Sequence, residues 1–276
     1  MTFRSLALAF IAAIALQPAA MANPFVPKSD LWSVWDLSDE QNEATIDHQP
    51  WQALLEVYLD ASHPSGISRF DYAALTDADQ DRLGAYVIAL ASLDPREYSR
   101  AEQKAYWINL YNALTVDLVQ KHYPVESIKK IYGGLLGLGP WNRELVEIAG
   151  EMLSLNDIEH RILRPIYQDP RIHYAVNCAS LGCPNLSARA FTAANGDDLL
   201  EAAARNYINH PRGVSFDDRG RLRVSSIFDW YQIDFGGSEA GVIAHLRGHA
   251  EPELAARLEA YDGRLRHGYD WALNAP

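Results

Sequence analysis

The sequence predicts a helix-rich α+β domain with a small antiparallel sheet, preceded by an N-terminal helical extension. The helices are indicated by apolar residues that recur at helical spacing, most clearly over residues 99–123. The strands are indicated by short runs on either side of two turn segments, Ala149-Gly150 and residues 217–220, a pattern typical of β-hairpins. Hairpins pair antiparallel strands, and this predicts the antiparallel sheet.

Residues 1–22 have the features of a signal peptide. Arg4 lies in a short charged region, Leu6–Leu16 is apolar but too short to span a bilayer, and Ala20-Met21-Ala22 fits a cleavage site. We therefore expect the mature chain to begin at Asn23 and to be exported, to the periplasm or the extracellular space. No later stretch reaches about 18 uninterrupted apolar residues, so no membrane insertion is expected after cleavage.

The 276-residue chain is acidic, with a formal net charge of −12. Its hydrophobic fraction of 48% is ordinary for a globular protein. An acidic surface repels phosphate backbones and anionic lipids, which argues against nucleic acids and membrane surfaces as partners. The expected partner is instead a small molecule, or a peptide or glycan ligand.

The mature chain divides into the predicted N-terminal helical extension, residues 23–97, and a predicted α+β domain, residues 98–274. The clearest helix of the chain, residues 99–123, opens the second part, and Ser99 fits a capping box with Glu102. The elements predicted in the extension are helices at residues 50–61 and 77–93 and a short strand or turn within residues 67–75.

Later in the chain, predicted helices alternate with hairpins. A glycine-rich segment, residues 133–140, lacks the Lys-Ser/Thr pair of phosphate-binding loops, so we interpret it as a flexible loop. The apolar run Ile172–Val176 predicts a strand that ends in a loop of small and polar residues. The predicted hairpins join residues 141–148 to 151–153 and 213–216 to 221–224, and the predicted helices cover residues 154–164, 197–209, 241–249 and 253–261.

Both cysteines of the chain, Cys178 and Cys183, lie in that loop, and three interpretations of them are open. The first is a disulfide, because an exported chain folds in an oxidising compartment. Closing so small a loop stabilises a fold by about 2 kcal/mol in the chain-entropy model. A disulfide here would leave no nucleophilic thiol.

The second interpretation is a thiol nucleophile, for which Cys178 at the strand end is the preferred residue. A thiol needs a neighbouring base, and the base needs a group that orients it. His160, on a predicted helix, is the first choice as base, and Asn112 is the first choice to orient it. Asn112 lies three residues from Asn109, so both amides share a helix face and can equally cap a loop or bridge two helices.

His173 and Glu159 are second choices for the catalytic residues. A straight strand would place His173 about 16 Å from Cys178, at about 3.3 Å per residue. Glu159 is adjacent to His160, so the two side chains point in different directions on one helix. Geometry therefore favours the pair of Cys178 and His160.

The third interpretation of the cysteines is a zinc site. Two cysteines and two histidines can form a tetrahedral set, but the C-x4-C spacing is loose and no H-x3–5-H pair accompanies it. We therefore predict no metal and no cofactor.

Other charged and aromatic residues have a structural and a functional interpretation. Arg164, before Pro165, is either a buried salt-bridge partner or helix cap, or a clamp for a substrate carboxylate. Trp230 and Asp234 belong to an aromatic, acidic segment that is either part of the core or a sugar- or peptide-binding surface. As candidates for substrate binding we name Arg164, Trp230 and Asp234.

Several of these segments together resemble one known family, called domain of unknown function 547. The family occurs in exported bacterial proteins and in plant and animal proteins. The resemblance covers about residues 98–274. It is carried in order by Tyr106–Leu114, Leu155–Pro165, Asp169–His173 with the Cys178 and Cys183-Pro184 loop, the segment Ser226–Phe235, and Tyr269-Asp270-Trp271. Since the family has no assigned function, the resemblance implies a shared core or a shared site, without an activity.

The sequence thus leaves three functional hypotheses. The first is a thiol-dependent hydrolase or acyl transferase of the cell envelope, with a Cys-His-Asn type of site built from Cys178, His160 and Asn112. The second is a binding module without catalysis that is stabilised by a Cys178–Cys183 disulfide. The third is an envelope assembly or scaffolding protein.

Overall fold

Helices make up most of the secondary structure in the computed structural model, which describes residues 26–133 and 138–276. The predicted signal peptide and residues 134–137 of the glycine-rich loop lie outside this description. No helix in the described parts is long and apolar enough to cross a membrane. The α-helices are α1 Gln49–Tyr58, α2 Asp77–Ala91, α3 Arg100–Lys121, α4 Arg164–Tyr167, α5 Gly196–Ile208, α6 Ile227–Trp230, α7 Glu239–His249 and α8 Pro252–Glu259.

The long helix α3 runs through the middle of the core. Every residue from 105 to 116 is buried, so neighbouring elements cover this helix on all sides. Ser99 caps its N-terminus, since the Ser99 hydroxyl accepts from the backbone N–H of Glu102 at 3.4 Å. The Glu102 carboxylate accepts from the Ile46 N–H at 3.2 Å, and so ties the N-terminal extension to α3.

Seven short strands form three separate sheets in the described residues. In the β3–β4 hairpin, Ala149 and Gly150 both have positive φ angles of 47° and 84°, as a type I′ turn requires. The third sheet is mixed, because β7 pairs parallel to β6 whereas β5 pairs antiparallel to it. The strands are β1 Leu59–Asp60, β2 Arg69–Phe70, β3 Val146–Ile148, β4 Glu151–Leu153, β5 Val214–Phe216, β6 Leu222–Ser225 and β7 Arg266–Gly268. The predicted helix-rich α+β fold is confirmed.

Two hydrophobic clusters form the core. The first combines α1, α2 and α3 with the segments that follow α3, as far as Leu200, and with Leu273 near the C-terminus. The second combines Tyr174 and the end of α5 with the mixed sheet and with α6, α7 and α8. The N-terminal extension therefore shares one cluster with α3, and the predicted boundary at residues 97/98 stays a prediction.

Two segments near the cysteines differ from the predicted elements. Residues Pro170–Tyr174 form a 3₁₀ helix, so the predicted strand Ile172–Val176 is wrong. Asp169 caps this helix by accepting from the Arg171 N–H at 2.9 Å, and Pro170 supplies a suitable first residue. A short apolar run does not distinguish a buried strand from a buried helix. Residues Asp157–Leu163 form a π-helix that continues into α4.

Candidate functional site

A cavity of about 400 Å³ lies where the two hydrophobic clusters meet. Tyr111 and Val176 of the first cluster and Ile227 of the second line it. Its volume is within the range of small-molecule sites. The side chains in its wall that can carry out chemistry are Glu159, His160, His173, Cys178 and Cys183, and its aromatic residues are Tyr111, Trp141, Trp230, Tyr231, Tyr269 and Trp271.

The loop that carries Cys178 is held in place by amide side chains. The Asn112 side chain, on α3, donates to the Ala175 carbonyl at 2.9 Å and accepts from the Asn177 N–H at 2.8 Å. The Asn177 side chain in turn accepts from the Ala179 N–H at 2.8 Å. Ala179 has a φ of 55°, a left-handed conformation that costs a non-glycine residue about 1 kcal/mol. The loop is therefore fixed in a sharp turn immediately after Cys178.

The Cys178 thiol contacts two hydroxyl groups, and a second thiol lies beside it. Its Sγ atom lies 3.1 Å from the Tyr269 hydroxyl and 3.2 Å from the Ser180 hydroxyl. Hydrogen bonds from Cys183, Ser180 and Tyr269 outweigh burial and hold the pKa of Cys178 below its usual value. Burial raises the pKa values of Cys183 and Tyr269, so both groups keep their protons at neutral pH. The site thus favours a thiolate on Cys178 alone.

Both cysteines are unpaired, so the predicted disulfide is wrong. The Cys183 sulfur accepts from the backbone N–H of Cys178 at 3.1 Å instead. Gly182, which lies between the cysteines, approaches the C-terminal segment so closely that a Cβ atom there would come within 2.7 Å of the Asp270 nitrogen. This close approach brings Tyr269 to the cysteine loop.

The His173 imidazole lies between two carboxylates. Its Nε2 atom is 2.7 Å from Asp234 Oδ2, and its Nδ1 atom is 3.5 Å from Glu159 Oε1. The Tyr231 ring stacks on the imidazole at a centroid distance of 4.3 Å. These contacts fix both the plane and the rotation of the ring. Such orientation is what a residue that transfers protons requires.

Arg164 connects this imidazole to His160. Its Nε atom donates to Asp234 Oδ2 at 2.6 Å, and its Nη1 atom donates to the Pro27 carbonyl at 3.0 Å and to His160 Nδ1 at 3.1 Å. Burial lowers the pKa of His160 to about 4, and Arg164 acts in the same direction. His160 is therefore neutral at pH 7 and carries its proton on Nε2.

Both carboxylates of this cluster stay ionised well below neutral pH. Burial alone would raise the pKa of Glu159, but His160, His173 and Arg164 lower it to about 2. Burial likewise opposes ionisation of Asp234, whose pKa is also about 2 because His173 and Arg164 donate hydrogen bonds to it. The cluster thus combines two carboxylates, a guanidinium and two imidazoles beside one cavity.

Some of the predicted site residues come together here, and others have different contacts. Cys178, His160 and Trp230 line one cavity, as do the second choices His173 and Glu159. The Asn112 amide binds the backbone of the cysteine loop, and no described imidazole is among its partners. The structure fits the interpretation of Asn112 as a loop cap. No contact of Asn112 supports its predicted role of orienting His160. The catalytic roles themselves stay predictions.

Arg164 and Asp234 were predicted to bind substrate, but they bind each other. The guanidinium is buried, with 3% of its side chain exposed, and its donors point to Asp234, Pro27 and His160. Its interpretation as a buried salt-bridge partner is the one the structure supports. Asp234 lies behind His173 and orients it.

The prediction that Glu159 and His160 point in different directions is wrong. Glu159 Oε1 lies 3.8 Å from His160 Nδ1, and both side chains line the cavity. The two residues are part of the π-helix, whose i→i+5 hydrogen bonds place side chains differently from those of an α-helix. Helical wheel geometry does not apply to such a segment.

The prediction gave no site role to Tyr269, Tyr231 and Lys129. Tyr231 and Tyr269 belong to segments that already carried the family resemblance, and this was the signal that could have identified them. Lys129 lies in a short 3₁₀ helix, Ile128–Lys130, and no sequence pattern marked it.

The cavity therefore defines a class of site: a polarised thiol and an oriented imidazole beside an aromatic pocket. Residues 95–208 match the family model described as protein of unknown function, DUF547. The resemblance predicted from the sequence is confirmed over this segment. No curated protein and no solved structure gave a significant match to the chain.

The matched segment contains only part of the site. Glu159, His160, His173 and Cys178 lie inside it. The groups that contact them from later segments, Asp234, Tyr231 and Tyr269, lie beyond residue 208. The site of this chain is therefore completed by its C-terminal part.

Proposed function

We propose that this protein is an exported cysteine-dependent hydrolase or acyl transferase, with Cys178 as nucleophile and His173 as the residue that transfers protons. One observation carries the proposal: a thiol with a lowered pKa and an imidazole oriented by carboxylates line the same cavity. Thiolate nucleophiles of this kind react with carbonyl groups, and their partner imidazole needs an orienting group.

The reaction would proceed through a thioester. The Cys178 thiolate attacks the carbonyl carbon of the substrate, so a carbon–sulfur bond forms and the bond to the leaving group breaks. His173, in its protonated form, gives its proton to the leaving group. Water, or an acceptor alcohol or amine, then attacks the thioester, and His173 takes up the proton of the attacking molecule. The carbon–sulfur bond then breaks, which releases the carboxylic acid or the acylated acceptor and regenerates the Cys178 thiolate.

His173 is a better candidate than His160 for this role. The Nδ1 atom of His160 already accepts from Arg164, and a pKa of about 4 makes His160 a weak base at neutral pH. Asp234 holds the Nε2 atom of His173 at 2.7 Å, which is the orienting contact of a Cys-His-acid site, and the Nδ1 atom, 3.5 Å from Glu159 Oε1, is the nitrogen that would transfer protons. Asp234 takes the orienting role that the sequence suggested for Asn112.

The first test compares the two thiols of one protein. We expect iodoacetamide to alkylate Cys178 much faster than Cys183 at pH 7, because only the Cys178 thiolate is stabilised. Peptide mass spectrometry of samples quenched over time measures both rates. The protein is recovered from a periplasmic fraction and checked by N-terminal sequencing for a start at Asn23. Equal rates for both thiols would contradict the nucleophile, and an uncleaved cytoplasmic chain would contradict export.

Hydrolysis of p-nitrophenyl acetate then tests the residue roles. We expect His173→Gln to lose about a hundredfold in rate, the usual contribution of general acid–base catalysis. Cys178→Ser should lose at least as much. His160→Gln, a matched change of the neighbouring imidazole, should keep most of the activity. Unchanged hydrolysis by Cys178→Ser would exclude this mechanism.

A binding module without catalysis is the second candidate, and one observation favours it. The hydrogen-bond partners of the Cys178 sulfur are hydroxyls and not an imidazole. In that case Cys178 would still alkylate selectively, but His173→Gln and the wild type would show the same slow hydrolysis. The combination of both assays therefore separates the two candidates.

A further inference from the structure

Four aromatic side chains form one continuous wall of the cavity. We call Trp141, Trp230, Tyr269 and Trp271 the aromatic wall. Trp271 is its centre, with ring centroids 5.7 Å from Trp141, 5.6 Å from Trp230 and 4.6 Å from Tyr269. All four side chains are half-buried, so they are not part of the closed core. They present ring surface to whatever occupies the cavity.

The aromatic wall begins beside the thiol and extends away from it. The Tyr269 hydroxyl contacts the Cys178 sulfur, and the Tyr269 ring contacts both Trp230 and Trp271. A molecule that reacts at Cys178 and fills the cavity therefore lies along these rings. Flat, apolar groups such as aromatic rings stack on such surfaces.

Lys129 provides a positive charge beside Trp271. Its Nζ atom lies 4.9 Å from the centroid of the Trp271 ring, and the side chain lines the cavity. Within residues 26–133 and 138–276, no carboxylate forms a salt bridge with Lys129. The rest of the sequence, residues 1–25 and 134–137, contains no Asp or Glu. The ammonium group therefore has a ring as neighbour but lacks a protein anion.

The other charged residues of the cavity do not neutralise the positive charge of Lys129. Glu159 also lines the cavity, but His160, His173 and Arg164 lie around its carboxylate. An apolar ligand would remove water from the Lys129 ammonium without supplying a hydrogen-bond partner, which costs free energy. A cationic ligand on the aromatic rings would be repelled by the positive charge of Lys129. An anionic group on the ligand would pair with Lys129.

We propose that the cavity binds a small molecule with a flat apolar body and a carboxylate or similar anionic group, the body lying on the aromatic wall and the anion on Lys129. The cavity volume of about 400 Å³ suits a molecule of this size. As a statement about the substrate, this proposal rests on the proposed function. As a statement about binding, it is independent of any reaction.

The test uses two probes without a scissile bond, 2-naphthoate and its neutral counterpart 2-naphthamide. Calorimetric titration of the full mature protein should show at least about tenfold tighter binding of the acid, as expected for one charge-assisted contact. Lys129→Met keeps an unbranched side chain that is one atom shorter and removes its charge, and should abolish this preference. Lys130→Met is the matched control, because Lys130 is the adjacent lysine, is exposed and does not line the cavity.

The possible outcomes are distinct. Equal binding of acid and amide, no binding of either, or a preference that persists in Lys129→Met would overturn the proposal. A 2-naphthylmethylammonium probe that binds more tightly than the acid would show a cation site and would also overturn it. Thermal unfolding of both lysine variants shows that each is folded. None of these results depends on Cys178 or His173, so a failure here leaves the alkylation and hydrolysis tests intact.

Discussion

Among single residues, hydrogen bonding distinguishes the two thiols. The two sulfurs lie near each other, and the hydroxyl groups of Ser180 and Tyr269 lie within hydrogen-bond distance of the Cys178 sulfur. Cys183 is buried at 4% exposure, and this burial favours its neutral form. A negative charge on Cys178 thus has hydroxyl partners, whereas Cys183 has the backbone N–H of Cys178 as donor and its burial outweighs that contact.

Tyr269 is the residue whose removal tests this stabilisation. Tyr269→Phe keeps the ring in the aromatic wall and removes the hydroxyl that lies 3.1 Å from the sulfur. We expect the pKa of Cys178 to rise and its alkylation at pH 7 to slow by roughly threefold or more, because a charge-assisted hydrogen bond is lost. The pH dependence of the alkylation rate measures this change.

Tyr231→Phe is the control, since it removes a hydroxyl from the same cavity without touching the sulfur. The Tyr231 ring stacks on His173, and Cys178 has no hydrogen bond to Tyr231. The alkylation profile of this variant should match that of the wild type. A Tyr269→Phe profile that also matches the wild type would mean that Ser180 and Cys183 suffice to stabilise the thiolate.

Among elements, helix α3 positions two distant loops through a pair of matched amides. Asn112 binds the backbone of Ala175 and Asn177. Asn109, one turn earlier, binds the N–H and C=O groups of Phe191 at 3.0 and 2.7 Å. The two asparagines are buried and each satisfies one donor and one acceptor, but only Asn112 holds the cysteine loop.

Because the two asparagines make equivalent backbone contacts, Asn109 can serve as the control for Asn112. Asn109→Ala and Asn112→Ala should each cost about 3 kcal/mol of unfolding free energy, because each leaves a buried N–H and a buried C=O unpaired. Only Asn112→Ala should also slow Cys178 alkylation, since it loosens the loop that holds the thiol. Urea unfolding and alkylation rates provide the two readouts. Equal loss of reactivity in both variants would mean that general destabilisation, and not loop position, controls the thiol.

At the scale of the whole molecule, Asp234 joins the segment that matches the family model to the C-terminal part. Arg164 and His173 lie in the matched segment, and Asp234 lies beyond it. Asp234 accepts from both, at 2.6 and 2.7 Å, so the contacts that orient the imidazole also connect the two parts. The site therefore forms only when both parts of the chain are folded together.

Asp234→Asn tests this connection. The change leaves the buried Arg164 guanidinium without its anion and should cost about 3 kcal/mol of unfolding free energy at pH 7. The ordinary aspartate pKa of 3.8 is lowered to about 2 in the folded protein, so the stabilising effect is complete above pH 3.8 and is lost as the pH falls towards 2. The difference between wild type and variant should therefore shrink between pH 4 and pH 2.

Urea unfolding at several pH values measures this difference. Asp117→Asn is the matched control, because Asp117 pairs at 2.6 Å with Lys121, whose side chain is 62% exposed. An exposed pair within one helix contributes only about 0.5 kcal/mol. An equally small effect of Asp234→Asn would show that contacts other than this ion pair hold the two parts together, such as the hydrogen bond of 2.8 Å between the Tyr207 and Ser225 hydroxyls.

The sequence by itself determined several local elements and the family resemblance. Helical spacing and the Ser99 cap predicted α3 to within two residues at each end, and turn residues predicted both later hairpins. These features depend on neighbours in the chain, so a single sequence contains them. The resemblance was also a local signal, carried by short motifs, and it is confirmed over residues 95–208. The signal peptide and export stay predictions.

The tertiary structure alone decided the site. The 3₁₀ helix at residues 170–174 and the π-helix at residues 157–163 changed the directions of His173 and Glu159, and no periodicity marked either segment. Tyr269 reaches Cys178 across 91 residues and Asp234 reaches His173 across 61, contacts that depend on how the two hydrophobic clusters meet. A residue's chemistry is visible in the sequence, but its partners are set by packing between distant segments.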